Sequence, residues 1–441
     1  MTRLHKARRI SDELFGIVRP EALYERPIGE RHRIVFYLGH LEAFDWNLVT
    51  ATLFEAQSLD PAFDKLFAFG IDPVGGGLPS DQASDWPSVE RVRQYNRRLR
   101  ETIDRELARE LDFAGSRRAA KSGSIASSTV AAQDPELILN VAIEHRLMHA
   151  ETLAYMFHWL PGEKKISQPP SPPLSVGRRV TPEMIKIPAG TATLGLARNG
   201  AFGWDNEFEQ HAVSVPVFAI DRFKVTNAQF LEFVRAGGYF ERSFWKGAEW
   251  EWREKEGVRH PRFWSERNGS WRFRTMFGDV PLPADWPVYV SHAEAEVYAR
   301  WAGKSLPTEA QWHRAAFGTP DGREREFPWG RQPPTALRGN FDFERWDPAP
   351  VNAHPSGDSA FGVADLLGNG WEWTSTAFAP FPGFEAFPFY PGYSANFFDG
   401  QHYVMKGGSM RTAACMLRRS FRNWFQPHYP HIYSGFRCVE N

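Results

Sequence analysis

Two histidines four residues apart, His145 and His149, stand inside the run ELILNVAIEHRLMHAETLAYMFHWL, residues 136–160. If the run is one helix, residues i and i+4 lie one above the other on a single face, close enough to share an ion. Val141, Met148, Leu153 and Met156 lie on or beside that face, so both imidazoles are expected to point inward. His158 comes nine positions after His149, about half a turn round the helix, and falls on the other side. A metal needs a third ligand. His5 and His32 lie in charged surroundings, whereas His40 falls on the apolar stripe of Tyr37, Leu41 and Phe44. Each of three inward histidines needs a polar partner of its own if all serve only as core. A shared ion satisfies them together.

The neighbours of these histidines narrow the chemistry. HRLMH lacks the glutamate that follows the first histidine in zinc-peptidase helices, so that mechanism has no base here. In HLE, Glu42 is turned about 200° from His40 on a helix, so the two do not easily chelate one ion. Three neutral imidazoles remain, a set that suits Fe(II), Zn or Cu and leaves positions open for dioxygen and a substrate.

The elements that must position these residues fall into two halves. Residues 1 to about 162 read mostly as helix, with RIVFYLGHLEAFDWNLVTATLF carrying His40 and PSVERVRQYNRRLRETIDRELARELDF forming a long charged helix. Two breaks interrupt them, GIDPVGGGLPSDQASDWP and the small, polar AGSRRAAKSGSIASSTVAAQD, which is expected to be mobile. Four helices so connected predict a bundle, a fold that builds metal sites from inward side chains on facing helices. The proline-rich GEKKISQPPSPPLSVGRR cannot continue a helix and is expected to stay extended as a linker, with the boundary near residue 170. Beyond it come short strand-like runs, many Gly and Trp, and two convincing helices, AQFLEFVRAGG and SHAEAEVYARWAG. This half predicts an irregular α+β domain dominated by loops.

Bulk composition sets limits. At 441 residues the chain calls for two or three domains. A net charge of −1 offers no electrostatic case for nucleic acid or an anionic membrane. With only Cys415 and Cys438, neither a disulfide framework nor a thiolate zinc site is expected. The start MTRLHKARRISDEL has no apolar signal-peptide core, and no run of about eighteen apolar residues occurs, so a cytoplasmic protein with no membrane span is the expectation. Aromatic residues make up 15% of the chain, enough to build cages for organic cations as well as cores.

The helical His, the later HRLMHAE and the second half together resemble the ergothioneine-type sulfoxide synthases. These are nonheme iron enzymes in which a DinB-like four-helix bundle is joined to a domain of the formylglycine-generating-enzyme fold, itself related to C-type lectins. The fold's markers are IKIPAGTATLGL, DRFKVTNAQFLEFV, PVYVSHAEAEVYARWAGKSLPTEAQWHRAAFG, FPWG, GVADLLGNGWEWT, VMKGGSM and SGFRC, and SFRNWFQPHYPHIYSGFR is the part that looks like the synthases themselves. The resemblance implies a DinB-like iron-binding domain over residues 1–165, a linker over 166–178 and a sulfatase-modifying-factor-like domain over 179–441. It implies that His40, His145 and His149 bind Fe(II), with hercynine, a thiol and O2 as substrates and an imidazole C2 sulfoxide as product. Asn423 and Trp424 would contact hercynine, although Trp424 is equally readable as core. Tyr390 and Tyr393, in FPGFEAFPFYPGYSANFF, are candidates for proton donation and substrate contact, with no basis for dividing the roles.

Three departures bear on the substrate. Met148 stands where many relatives carry a glutamine that hydrogen-bonds hercynine. Phe425 follows Trp424 where users of γ-glutamylcysteine carry an aspartate, and GGGLPSDQASDWPS lacks their pair of clamping arginines. Both losses favour free L-cysteine over γ-glutamylcysteine, with a selenosugar-using relative as a further alternative. Formylglycine generation, which resembles a two-cysteine copper site, is disfavoured because only Cys415 is present in that stretch; Cys438 reads as buried structure. A structural Ca²⁺ could be held through Asn369 in GNGWEW. The reading of another class is a lectin-like binding module without catalysis.

Overall fold

The computed structural model describes residues 1–54, 56–68, 80–120, 134–169, 171, 174 and 180–441, the side chains of 110–120 excepted. The chain divides into two compact units, Met1–Gln168 and Pro169–Asn441.

The first unit is built from helices α1 (Thr2–Gly16), α2 (Ile34–Thr52), α3 (Pro61–Leu66), α4 (Val89–Ala120) and α5 (Pro135–His158). Helix α5 starts where Asp134 accepts the backbone N–H of Glu136 and a proline occupies the first turn, which needs no donor there. It packs against α1 and α2, and α2 packs against α4. Both α2 and α5 are buried nearly all round, including Ile34–Ala43 on α2 and Ala142–Leu147 on α5, so they form the centre of the bundle. The polar stretch expected to break α4 from residue 114 does not stop it: the helix runs through Ala120. Alanine and arginine are strong helix formers, and one glycine costs only about 1 kcal/mol against them. Residues 121–133 of that stretch, and residues 70–79 of the earlier glycine-rich loop, lie outside the described residues.

Lys165 and Ile166 are tied back into this first unit. Lys165 bridges Val18, and the Ile166 N–H donates to the Ile17 carbonyl at 2.7 Å. Most of the expected extended linker beyond them lies outside the described residues.

In the second unit, strands β1 (Met184–Ile187), β2 (Gly190–Leu194), β3 (His211–Val215) and β4 (Phe218–Asp221) precede helices α6 (Asn227–Arg235) and α7 (Gly247–Lys255). Then come β5 (Trp264–Arg267), β6 (Ser270–Arg274), β7 (Asp279–Pro281), α8 (His292–Trp301) and α9 (Glu309–Phe317). The chain closes with β8 (Trp371–Ala377), β9 (Tyr403–Lys406), β10 (Asn423–Phe425), β11 (Ser434–Gly435) and β12 (Val439–Glu440). Four small sheets result among the described residues, ordered β1-β4-β12, β10-β9-β8-β11, β2-β3 and β5-β6-β7. Helices α6, α8 and α9 each open on a capping box, from Thr226 to Gln229, Ser291 to Glu294 and Thr308 to Gln311. Two of the four helices, α7 and α9, go beyond the pair expected from sequence. A core of Ile187, Phe218, Ile220, Trp312, Phe317 and Leu366 joins β1, β4 and α9. Arg437, in the terminal SGFRC, is fully buried and donates to both oxygens of Glu372 and to the carbonyls of Asp221, Arg222 and Ala364, which locks β8 to the loop after β4.

Candidate functional site

Helices α2 and α5 bring His40, His145 and His149 together. Their ring centroids are 5.4, 4.9 and 4.5 Å apart, and one potential ligand atom of each lies within 4.8 Å of the others. This is the single such cluster of three or more potential ligands found among the described residues. The side chains are 1%, 3% and 2% exposed. His40 Nδ1 sits 2.7 Å from the Phe67 carbonyl oxygen, which can only accept. The proton therefore rides on Nδ1 and the lone pair on Nε2 faces away from that bond, the arrangement a metal-bound imidazole adopts. His40 Nε2 and His149 Nδ1 are buried and make no hydrogen bond among the described residues. Flat aromatic neighbours restrict the rings: Phe36 stacks on His40 at 4.9 Å and Phe44 on His145 at 3.4 Å.

Burial sets the charge state. It pushes the His40 pKa down to about 4, against the partial support of the Phe67 carbonyl. Burial, and then the neighbouring histidines, hold His145 and His149 well below the ordinary imidazole range. All three are neutral at pH 7, the form that ligates. Orphaned ring nitrogens, neutral charge and a shared focus fit a metal ion. Glu42 is no part of that set, because its carboxylate is held by Arg146 and Arg100. Met148 is half-buried on α5 beside His149.

A second cluster forms in the other unit around β10. The Trp424 ring stacks on Phe378 at 4.1 Å and meets Tyr393 edge-on at 5.5 Å and Phe397 at 5.6 Å. Tyr393 in turn stacks on Trp204 at 4.0 Å and lies 5.6 Å from Tyr390. The tyrosine segment is pinned by Ser394 Oγ, which donates to buried Asp205 Oδ1 at 2.6 Å. Asn423 precedes Trp424 on the strand, and its Oδ1 accepts the Trp424 N–H at 2.9 Å. Phe425 alternates to the other face of the strand, where it stacks on Tyr429 at 5.3 Å rather than joining the Trp424 rings. Sequence reasoning missed Trp204 and Phe378, which lie far from the Trp424 motif in the chain and carry no local signature, while Phe397 belongs to the tyrosine-bearing stretch but was not singled out there.

Asn369 is spent on the protein. Its Oδ1 accepts from Asn340 Nδ2 at 3.1 Å and from the Ala349 N–H at 2.7 Å, while Nδ2 donates to the Ala349 carbonyl and Asp365 Oδ2. Both acceptor positions of the amide oxygen are thereby filled by N–H groups of the protein. Cys438 is fully buried and Cys415 exposed, and neither is in a disulfide.

The sulfatase-modifying factor enzyme 1-like domain family matches residues 173–441, and the DinB superfamily matches residues 3–153. The hercynine oxygenase of Mycolicibacterium smegmatis is 38% identical over 320 residues, covering 70% of this chain and 73% of its own. That of Mycolicibacterium thermoresistibile is 40% identical over 310 residues, 68% of each chain. Ergothioneine biosynthesis protein 1 of Neurospora crassa is 28% identical across 96% of this chain, which spans 55% of that longer protein. A DinB-like helical unit followed by a sulfatase-modifying-factor domain defines the class. Within it, the chain belongs to the hercynine oxygenase family, the ergothioneine-type sulfoxide synthases, and is an oxidoreductase. Among the described residues no helix is long and apolar enough to cross a membrane.

Proposed function

We propose that the chain is an Fe(II)- and O2-dependent sulfoxide synthase joining the sulfur of L-cysteine to the imidazole C2 of hercynine. The observation that carries this reading is the triad of buried, neutral imidazoles, with His40 Nε2 and His149 Nδ1 making no hydrogen bond among the described residues. A ligand-binding module without catalysis gives no account of it. In this proposal residues 1–165 hold the iron through His40, His145 and His149, and residues 179–441 supply the substrate contacts, with 166–178 between them. Iron, when bound, supplies dioxygen activation, which the protein's own side chains lack. The electrons balance with one O2. Forming the C2–S bond removes two electrons and two protons, and oxidising sulfur removes two more electrons. One oxygen atom stays on sulfur and the other leaves as water.

The chain's residues have the remaining tasks. Trp424, with the rings packed on it, suits the permanent trimethylammonium of hercynine, a cation that no proton transfer can neutralise. Asn423, beside Trp424 on β10, completes the hercynine contacts of this cluster. The phenol Oη of Tyr390 or Tyr393 supplies a proton consumed in reducing dioxygen. Phe425 brings no charge to meet the ammonium of a γ-glutamyl group, which favours cysteine over γ-glutamylcysteine or a selenosugar. The test is oxygen consumption and product mass with anaerobically iron-loaded protein, hercynine and L-cysteine. Stoichiometric hercynylcysteine sulfoxide supports the proposal; iron-dependent turnover with another sulfur or selenium donor alone overturns the cysteine assignment, and no turnover with any donor overturns the whole.

A further inference from the structure

Between His145 and His149 on α5 lies Arg146, which is fully buried. Its Nη1 donates to Glu42 Oε1 at 2.9 Å and to Ser11 Oγ at 3.3 Å. Its Nη2 donates to the Leu41 carbonyl at 2.9 Å, to Glu42 Oε2 at 2.9 Å and to Asp45 Oδ2 at 2.6 Å. Glu42 is held from the other side by Arg100 on α4, which also forks onto Asp12 of α1 at 2.7 Å. One guanidinium thus grips α2 at three residues, beginning at the one next to His40.

We propose that Arg146 is a positioning residue that sets the register of α5 against α2 and thereby places His40 against His145 and His149. This inference rests on the reading of the triad as a metal site. The geometry behind it is a difference in tolerance. Slipping one helix by a residue shifts it about 1.5 Å and rotates it about 100°, whereas ligand distances tolerate only about 0.2 Å. Apolar side chains on two helices buried nearly all round repack across neighbouring registers at small cost. A planar fork bound to both oxygens of one carboxylate, to a second carboxylate and to a backbone carbonyl does not. Register control is the best-attested use of a buried polar group, since such networks are seldom a net source of stability. Arg146 adjoins one ligand and lies one helical turn from another, so any movement of its grip reaches both.

Two full-length variants test the assignment under anaerobic conditions, with Co(II) as the probe because its visible spectrum reports ligand geometry. Arg146→Lys keeps the charge and loses the fork. The triple variant Glu42→Gln, Asp45→Asn, Arg146→Met removes the charges together, so no carboxylate is left buried without a partner. Helicity by circular dichroism is measured alongside. The expected result is wild-type helicity with Co(II) bound about 10- to 100-fold more weakly and an altered visible spectrum. Wild-type affinity and spectrum in either folded variant overturn the inference. Loss of helicity in both variants also overturns it, since the network would then hold up the bundle rather than place the ligands. If the wild-type protein itself binds no Co(II), the metal reading falls first and takes the inference with it.

Discussion

Replacing His149 by alanine is expected to leave the metal-free protein about as stable as the wild type while abolishing the stabilisation that metal confers. In the metal-free protein His149 keeps Nδ1 buried without a hydrogen bond among the described residues. An unsatisfied buried polar atom costs about 1–3 kcal/mol, and alanine is the better helix former by up to about 0.7 kcal/mol. The small cavity left by the imidazole works the other way by a similar amount, so the net change is near zero. With metal at one hundred times its Kd, the wild type gains about 2.7 kcal/mol. For a unit of 168 residues that gain is a rise in Tm of roughly 5–11 °C. Binding energies of about 10–16 kcal/mol over four ligands put one ligand at about 3 kcal/mol, or more than a hundredfold in affinity. At the same metal concentration the variant then gains no more than about 0.4 kcal/mol, roughly 1–2 °C. Differential scanning calorimetry of both proteins with and without Fe(II), under argon, reads all four values. An equal metal-induced rise in wild type and variant would refute the assignment of His149 as a ligand.

Other expectations concern the substrates and the second unit. Because Phe425 carries no charge for the γ-glutamyl group, cysteine should exceed γ-glutamylcysteine in kcat/KM by at least about tenfold, the equivalent of one lost charged contact of about 1.5–3 kcal/mol; oxygen-electrode assays with each thiol decide it. Trp424→Ala should lower kcat/KM for hercynine roughly 2- to 30-fold, the range of a cation–π contact of about 0.5–2 kcal/mol, while iron content stays at the wild-type level. Burial pushes Lys406 down to about 8 despite the attraction of Glu309, so between pH 8 and 10.5 the folded protein binds fewer protons than the unfolded chain. Relative to Lys406→Met, wild-type stability should therefore rise with pH across that window, by about 3 kcal/mol in total, as measured by denaturant titration at each pH; a flat or falling difference would show that the lysine is not so depressed.

What the sequence disclosed depended on how locally each feature is encoded. His145 and His149 could be paired from spacing alone, because one helix fixes both, and His40 could be added because an apolar stripe told which way it points. Glu42 could be dismissed by the same periodicity, and it is indeed turned to Arg146 and Arg100 rather than to the histidines. The start of α9 was equally legible, since Thr308 and Gln311 spell out a capping box. Its nine residues went unread because burial there comes from the surrounding sheets, not from a long amphipathic stripe. Trp204 and Phe378 lay beyond any such rule. Each reaches the Trp424 and Tyr393 rings only after the loops of an irregular domain have closed, and such partners leave no periodic trace.

Arg146 falls between these extremes. An arginine flanked by two inward histidines on a helix buried all round requires a counter-charge in the core, and that requirement was visible in HRLMH. The identity of the partner was not, because Glu42 was first seen only as a residue that failed to be a ligand and Asp45 carried no signal of its own. Their failure as ligands and their success as anchors have one cause. On α2 the face that carries His40 towards α5 leaves Glu42 and Asp45 on its flank, within reach of the guanidinium that α5 presents beside His145. The charges that grip the helices therefore stand beside the neutral site without entering it, so three imidazoles remain uncharged in a core that also holds a buried ion network.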